Sequence, residues 1–169
     1  MLLSTSTLAL LSLAVLAWRI RRRPPGLAPR DIGRAAAGGA ALYLFMGPPI
    51  GVLVLSLMLA VAARSAEHLL TSILLIPWAY LFGGVPALLS GLVAGACKPA
   101  LASGRAYCLA GLVGGLYGTV FLLGLSSRDG AWHELPVPLI AGGVPGLVAG
   151  ALCARALYGR RGTTASANG

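Results

Sequence analysis

The chain has 169 residues, of which 57% are hydrophobic and 10% charged, with a formal net charge of +9. A soluble domain usually carries about 25% charged residues, so a water-soluble globule is excluded and hydrocarbon becomes the expected solvent. Nucleic acid is excluded as the partner of the positive charge: the basic residues are few, sit between long apolar runs and are not interleaved with aromatic rings.

In chain order, the first apolar run covers 2–18 and stops at Arg19, with Arg21, Arg22 and Arg23 close behind. A secretory signal places its positive charge before the apolar stretch. Here the charge follows, so the run reads as an uncleaved anchor. Pro24, Pro25 and Gly26 open a linker expected to run to Arg34, because two prolines stop a helix. A second run spans 35–63 and a third 69–97, each longer than the ~20 residues that a bilayer core of ~30 Å requires. Gly47, Pro48 and Pro49 interrupt the second; Pro77 and then Gly83, Gly84 and Pro86 interrupt the third. Kinks are expected there, with a split into paired short segments as the alternative. The fourth run, 106–125, has the length of a simple crossing. The fifth, 137–157, carries Gly142, Gly143 and Pro145 and leads to a Gly/Thr/Ser tail at 162–169, expected to be a disordered cytoplasmic segment.

The expected fold class is all-α: one transmembrane bundle over 1–161 with about five spans, the second, third and fifth kinked. Orientation follows from the excess of Lys and Arg on the cytoplasmic side of membrane proteins. With the N-terminus outside, the inner segments hold Arg19, Arg21, Arg22, Arg23, Arg30, Arg34, Lys98, Arg105, Arg155, Arg160 and Arg161, and the outer links only Arg64 and Arg128. The reading is N-out, C-in. Every basic residue except Lys98 is Arg, and with abundant Ala, Gly and Leu this composition is associated with GC-rich bacterial genomes, hence a bacterial inner membrane. The basic stretch 19–34 can attract anionic lipid headgroups at about 1 kcal/mol per residue near the surface, beside its plainer role as a topology signal.

A weak internal repeat runs through the broken helices. Tyr43, Leu44, Phe45, Met46, Gly47, Pro48, Pro49 aligns with Tyr80, Leu81, Phe82, Gly83, Gly84, Val85, Pro86. A looser copy is Leu139, Ile140, Ala141, Gly142, Gly143, Val144, Pro145. Proline has no N–H, so the carbonyl four residues earlier loses its helical partner. Those carbonyls belong to Phe45, Phe82 and Ala141, all near mid-bilayer in the expected topology. Broken helices that expose carbonyls at mid-depth resemble the binding sites of secondary transporters. The plainer reading is that Gly and Pro are common in membrane helices and that neighbouring helices re-satisfy such carbonyls.

Small residues recur at four-residue spacing: Gly91 and Gly95, Gly111 and Gly115, Gly114 and Gly118, then Gly142, Gly146 and Gly150. Within lipid, helices associate through close backbone approach at such positions. These faces serve packing inside the bundle or docking of a membrane partner or a second copy. Trp18 and Trp132 suit interfacial anchoring, whereas Trp78 lies too deep in its run for that role.

Chemistry has few candidates. No charged side chain lies well inside a span, against the pattern of proton relays and ion-coupled carriers. Ser90 and Thr119 have no base in their spans and are expected to bond a carbonyl one turn back. Glu67 with His68 and His133 with Glu134 fall on the outer side and form a weak metal or acid–base set. Cys97, Cys108 and Cys153 read as small hydrophobes near the inner side. No cofactor is expected. The sequence therefore favours a non-enzymatic membrane subunit packing through its glycine faces. The alternatives are a small-solute carrier or pore built on the Gly/Pro breaks, and an outer-face enzyme using the two histidines.

Overall fold

In the computed structural model, residues 2–23, 28–65, 67–99, 102–126 and 135–159 are described, and among them every regular element is helical. α1 is Leu2–Arg21, α2 Pro29–Ala63, α3 Glu67–Ala96, α4 Gly104–Ser126 and α5 Pro136–Tyr158. Four of these five helices, α2 to α5, are long and apolar enough to cross a membrane. α1 falls outside that set; it carries Ser4, Thr5, Ser6 and Thr7 in its first half and Arg19 and Arg21 in its last turn. The tail at 162–169 lies outside the described residues.

The linker expected to reach Arg34 ends earlier, because α2 begins at Pro29. Ala28 is extended (φ −77°, ψ 147°) and Pro29 takes the first helical position, where a missing N–H forfeits no bond. Asp31 in the first turn complements the positive end of the helix dipole. α2 then continues through Pro48 and Pro49, and α3 through Pro77 and Pro86, so each long run forms one continuous helix rather than two short ones. α5 differs. Over Leu139–Gly143 it winds as a wider π-type turn in which the Val144 N–H donates to Leu139 O, five residues back. Such insertions often mark functional sites.

α2 ends on Arg64, a non-glycine residue in the left-handed region (φ 52°, ψ 33°), with the Ser65 N–H donating to Ala60 O at 3.1 Å. A side chain there opposes the backbone by about 1–2 kcal/mol. Arg64→Gly is expected to raise stability by up to about 1 kcal/mol, read as a higher thermal midpoint in detergent. A lower midpoint would show that the guanidinium contributes more than the backbone loses.

Glycine decides which helices pair. The most extensive contact is α2 with α3, followed by α4 with α5. In the first pair, a Cβ on Gly91 would stand 2.5 Å from Gly39 O and from Tyr43 Cβ, and one on Gly95 would overlap Ala35 O. In the second, a Cβ on Gly114 would lie 2.5 Å from Gly146 O and one on Gly118 2.5 Å from Gly142 O. A Cβ on Gly111 would stand 2.8 Å from Leu147 O, one on Gly115 2.9 Å from Gly143 O, and one on Gly150 2.9 Å from Ala110 O. Residue numbers rise along one helix as they fall along the other, so both pairs are antiparallel hairpins.

The two hairpins meet through α2 against α5, and α1 packs mainly on α3 and α4. Leu8 joins Val93, Tyr117 and Phe121 in one apolar cluster, and Tyr43, Ala94 and Cys153 form another. Tyr158 donates to Ala94 O (3.0 Å) and Tyr107 to Gly159 O (3.0 Å), which brings together the C-terminal ends of α3 and α5 and the N-terminal end of α4. Arg19, ending α1, is close enough to act electrostatically on the Cys97 thiol just past α3. Ala35, at the start of α2, touches Gly95 near the end of α3. Arg19, Arg21, Arg22, Arg30, Arg34, Lys98, Arg105 and Arg155 thus gather at one end of the bundle. Arg22 also sits 5.7 Å over the Trp18 ring.

Candidate functional site

Between the hairpins lies a half-enclosed cavity of about 380 Å³. α2 contributes Tyr43, Gly47, Pro48, Gly51 and Ser56; α3 contributes Trp78, Phe82, Gly83, Pro86 and Ser90. α4 adds Gly114, Gly118 and Phe121, and α5 adds Ala141, Gly142, Pro145 and Gly150. The walls are carbon-rich, and the described residues lining them include no Asp, Glu, Lys, Arg or His. Trp78 and Phe82 stack on each other (centroids 6.3 Å apart, planes at 14°) at the α3 wall. The small residues that let helix backbones approach one another also leave the space: Gly47, Gly51 and Gly83 present no side chain toward it.

Each broken segment reaches this cavity, though not with every residue singled out from sequence. Gly47, Phe82, Pro86, Ala141 and Pro145 line it. Phe45 points away and is 69% exposed, and Pro48 rather than Pro49 borders the space. Tyr80 and Gly84 lie outside it, Gly84 against Leu44, and Gly143 is taken up in the α4–α5 seam beside Thr119. The glycines read as packing positions (Gly91, Gly95, Gly111, Gly115, Gly118, Gly142, Gly146, Gly150) sit in the two hairpin seams.

The carbonyls freed by proline meet different fates. Phe45 O, deprived of a helical donor by Pro49, accepts from the Tyr80 hydroxyl of α3 at 2.8 Å. Phe82 O and Ala141 O lose their α-helical donors to Pro86 and Pro145. The hydroxyls of the five tyrosines and of Ser12, Ser90, Thr119 and Ser126 all go elsewhere. A carbonyl points along its helix toward the residue four ahead. Phe82 with Pro86, and Ala141 with Pro145, both border the cavity, so each freed carbonyl lies on the cavity face.

The tyrosine network carried no signal in the sequence beyond the repeat itself. All five tyrosines bond across helices or to the residue that ends α5. Tyr43, 2% exposed, donates to Gly150 O at 2.8 Å, and Tyr117 pairs with Ser12 at 3.0 Å while Ser12 donates to Leu8 O. Ser90 and Thr119 do bond one turn back, to Ala87 O and Gly115 O. Trp78 had one clue, its depth in the third run, which fits a cavity wall better than an interfacial belt.

The outer-face titratable set lies mostly outside view: His133 and Glu134 fall outside the described residues, and Glu67 and His68 are described only as backbone in the first turn of α3. Comparison with protein-family models, with curated proteins and with solved structures finds no match.

Proposed function

We propose that this chain is a polytopic membrane protein whose cavity holds a small neutral or weakly polar molecule within the bilayer and carries it across. The observation that carries the reading is the convergence of Pro48, Pro86 and Pro145, far apart in sequence, on one uncharged cavity. Binding pockets of this kind fall in the range of about 300–1,000 Å³. In this reading α1 is the fifth span and α2, α3 and α5 bend at their Gly/Pro segments. The N-terminus lies outside, and the arginine-bearing end faces the cytoplasm and its anionic headgroups in a bacterial inner membrane. No enzymatic step is assigned.

The glycine faces that suggested an accessory subunit are occupied by the hairpin partners, which moves the weight to the carrier reading. Docking of a membrane partner or a second copy would instead use the outward face of α3, where Ile73, Leu74 and Leu81 are exposed. A particle well above 17.1 kDa plus its micelle after mild extraction would support it.

The carrier reading is tested by filling the cavity. A Cβ on Gly51 or Gly83 meets nothing closer than 4.0 Å, so a larger side chain enters empty space. Proteoliposomes loaded with radiolabelled 1,4-cyclohexanediol, an uncharged solute with an apolar body, are expected to release it faster than protein-free liposomes. The Gly51→Leu, Gly83→Leu double variant should return release to the protein-free rate at an unchanged thermal midpoint. Equal release by wild type and variant overturns the reading.

A further inference from the structure

From the two freed carbonyls we infer that the cavity selects molecules that donate hydrogen bonds, namely neutral alcohols or phenols with an apolar body. The inference rests on the cavity being a binding site. Of the five carbonyls that prolines within the helices strip of an α-helical donor, those of Leu44, Phe45 and Ile73 belong to residues outside the cavity lining, and Phe45 O is satisfied by Tyr80. Phe82 and Ala141 line it from opposite hairpins. The π-type turn sharpens the second case: the Val144 N–H is drawn back to Leu139 O, and the next residue is Pro145.

The cavity thus offers two acceptors in a wall whose side-chain donors are the hydroxyls of Tyr43, Ser56 and Ser90 and the Trp78 indole N–H. The Tyr43 hydroxyl is engaged by Gly150 O and that of Ser90 by Ala87 O. A carbonyl facing hydrocarbon without a donor is strongly unfavourable, so a ligand hydroxyl that reaches it replaces a bond the helix cannot make. An ether of similar size has no proton to offer these two carbonyls. A cation is disfavoured because no described lining residue is acidic.

The test is a competition in lipid nanodiscs. Saturable binding of tritiated 1-octanol, measured above that of empty nanodiscs, is challenged with unlabelled 1-octanol or with methyl octyl ether. One hydrogen bond of ordinary strength separates the two by about tenfold, so the alcohol should compete at roughly one-tenth the mole fraction of the ether. The Pro86→Ala, Pro145→Ala double variant returns an N–H to each carbonyl and should erase this preference, so that alcohol and ether compete at similar mole fractions. Each single variant should reduce the preference in part, so the result does not hang on the double variant folding. Saturable binding in which alcohol and ether compete equally overturns the donor-selective inference and leaves the binding site standing. Absence of saturable binding by wild type overturns both.

Discussion

Gly39→Ala should destabilise the bundle by about 1–3 kcal/mol, whereas Gly38→Ala, one residue away, should leave it unchanged or gain up to about 1 kcal/mol from helix propensity. A Cβ on Gly39 would overlap Gly91 O and stand 2.9 Å from Gly95 Cα, all backbone that cannot rotate aside. A Cβ on Gly38 meets nothing within 4 Å. The seam between α2 and α3 is the most extensive in the molecule, and prising it open moves Tyr43, Tyr80 and the cavity wall together. Unfolding of detergent-solubilised protein by increasing mole fractions of dodecyl sulfate measures both variants on one scale. If the two alanines behave alike, the seam is not set by backbone contact and the hairpin assignment fails.

Tyr80→Phe should cost about 1–2 kcal/mol in the native background and about 0.5 kcal/mol or less when Pro49 is already Ala. The reason lies in one oxygen. Pro49 cannot donate to Phe45 O, and the Tyr80 hydroxyl does so from the neighbouring helix at 2.8 Å. Alanine at 49 restores the N–H within α2, and the phenol becomes dispensable. The four proteins of this double-mutant cycle isolate the coupling from the other contacts of either side chain. Additive effects would mean that Tyr80 packs there without replacing the lost donor. The repeat gains meaning from this pair: Tyr43 and Tyr80 occupy equivalent positions, yet one reaches α5 and the other α2. Equivalent sequence has been put to different partners.

The helices were legible because uncharged runs of that length have only one stable form in hydrocarbon. Their ends were less so. Pro24 and Pro25 suggested a linker reaching Arg34, but Pro29 is suited to start a helix, and α2 begins there. The prolines at 48, 49, 77 and 86 left a split open as the alternative to a kink, and α2 and α3 run on through them as single helices, with Tyr80 supplying the donor that Pro49 removes. The glycine spacings marked contact faces without saying which face meets which. That pairing depends on complementarity between distant segments, as when Gly114 fits Gly146. The cavity was half visible: the proline pattern pointed to the freed carbonyls, while Trp78, Gly51 and Gly83 enter only through the hairpins' mutual placement.

Two hydrogen bonds that join the hairpins, Tyr43 to Gly150 and Tyr158 to Ala94, both lie toward the arginine-bearing end. The molecule is accordingly fastened where the arginines collect, while Leu55, Leu75 and Leu122 line the cavity toward its other end. If the cavity carries a solute as proposed, passage toward the arginine-bearing end would require these two tyrosine bonds to break, whereas the leucine-lined end has apolar side chains alone to part.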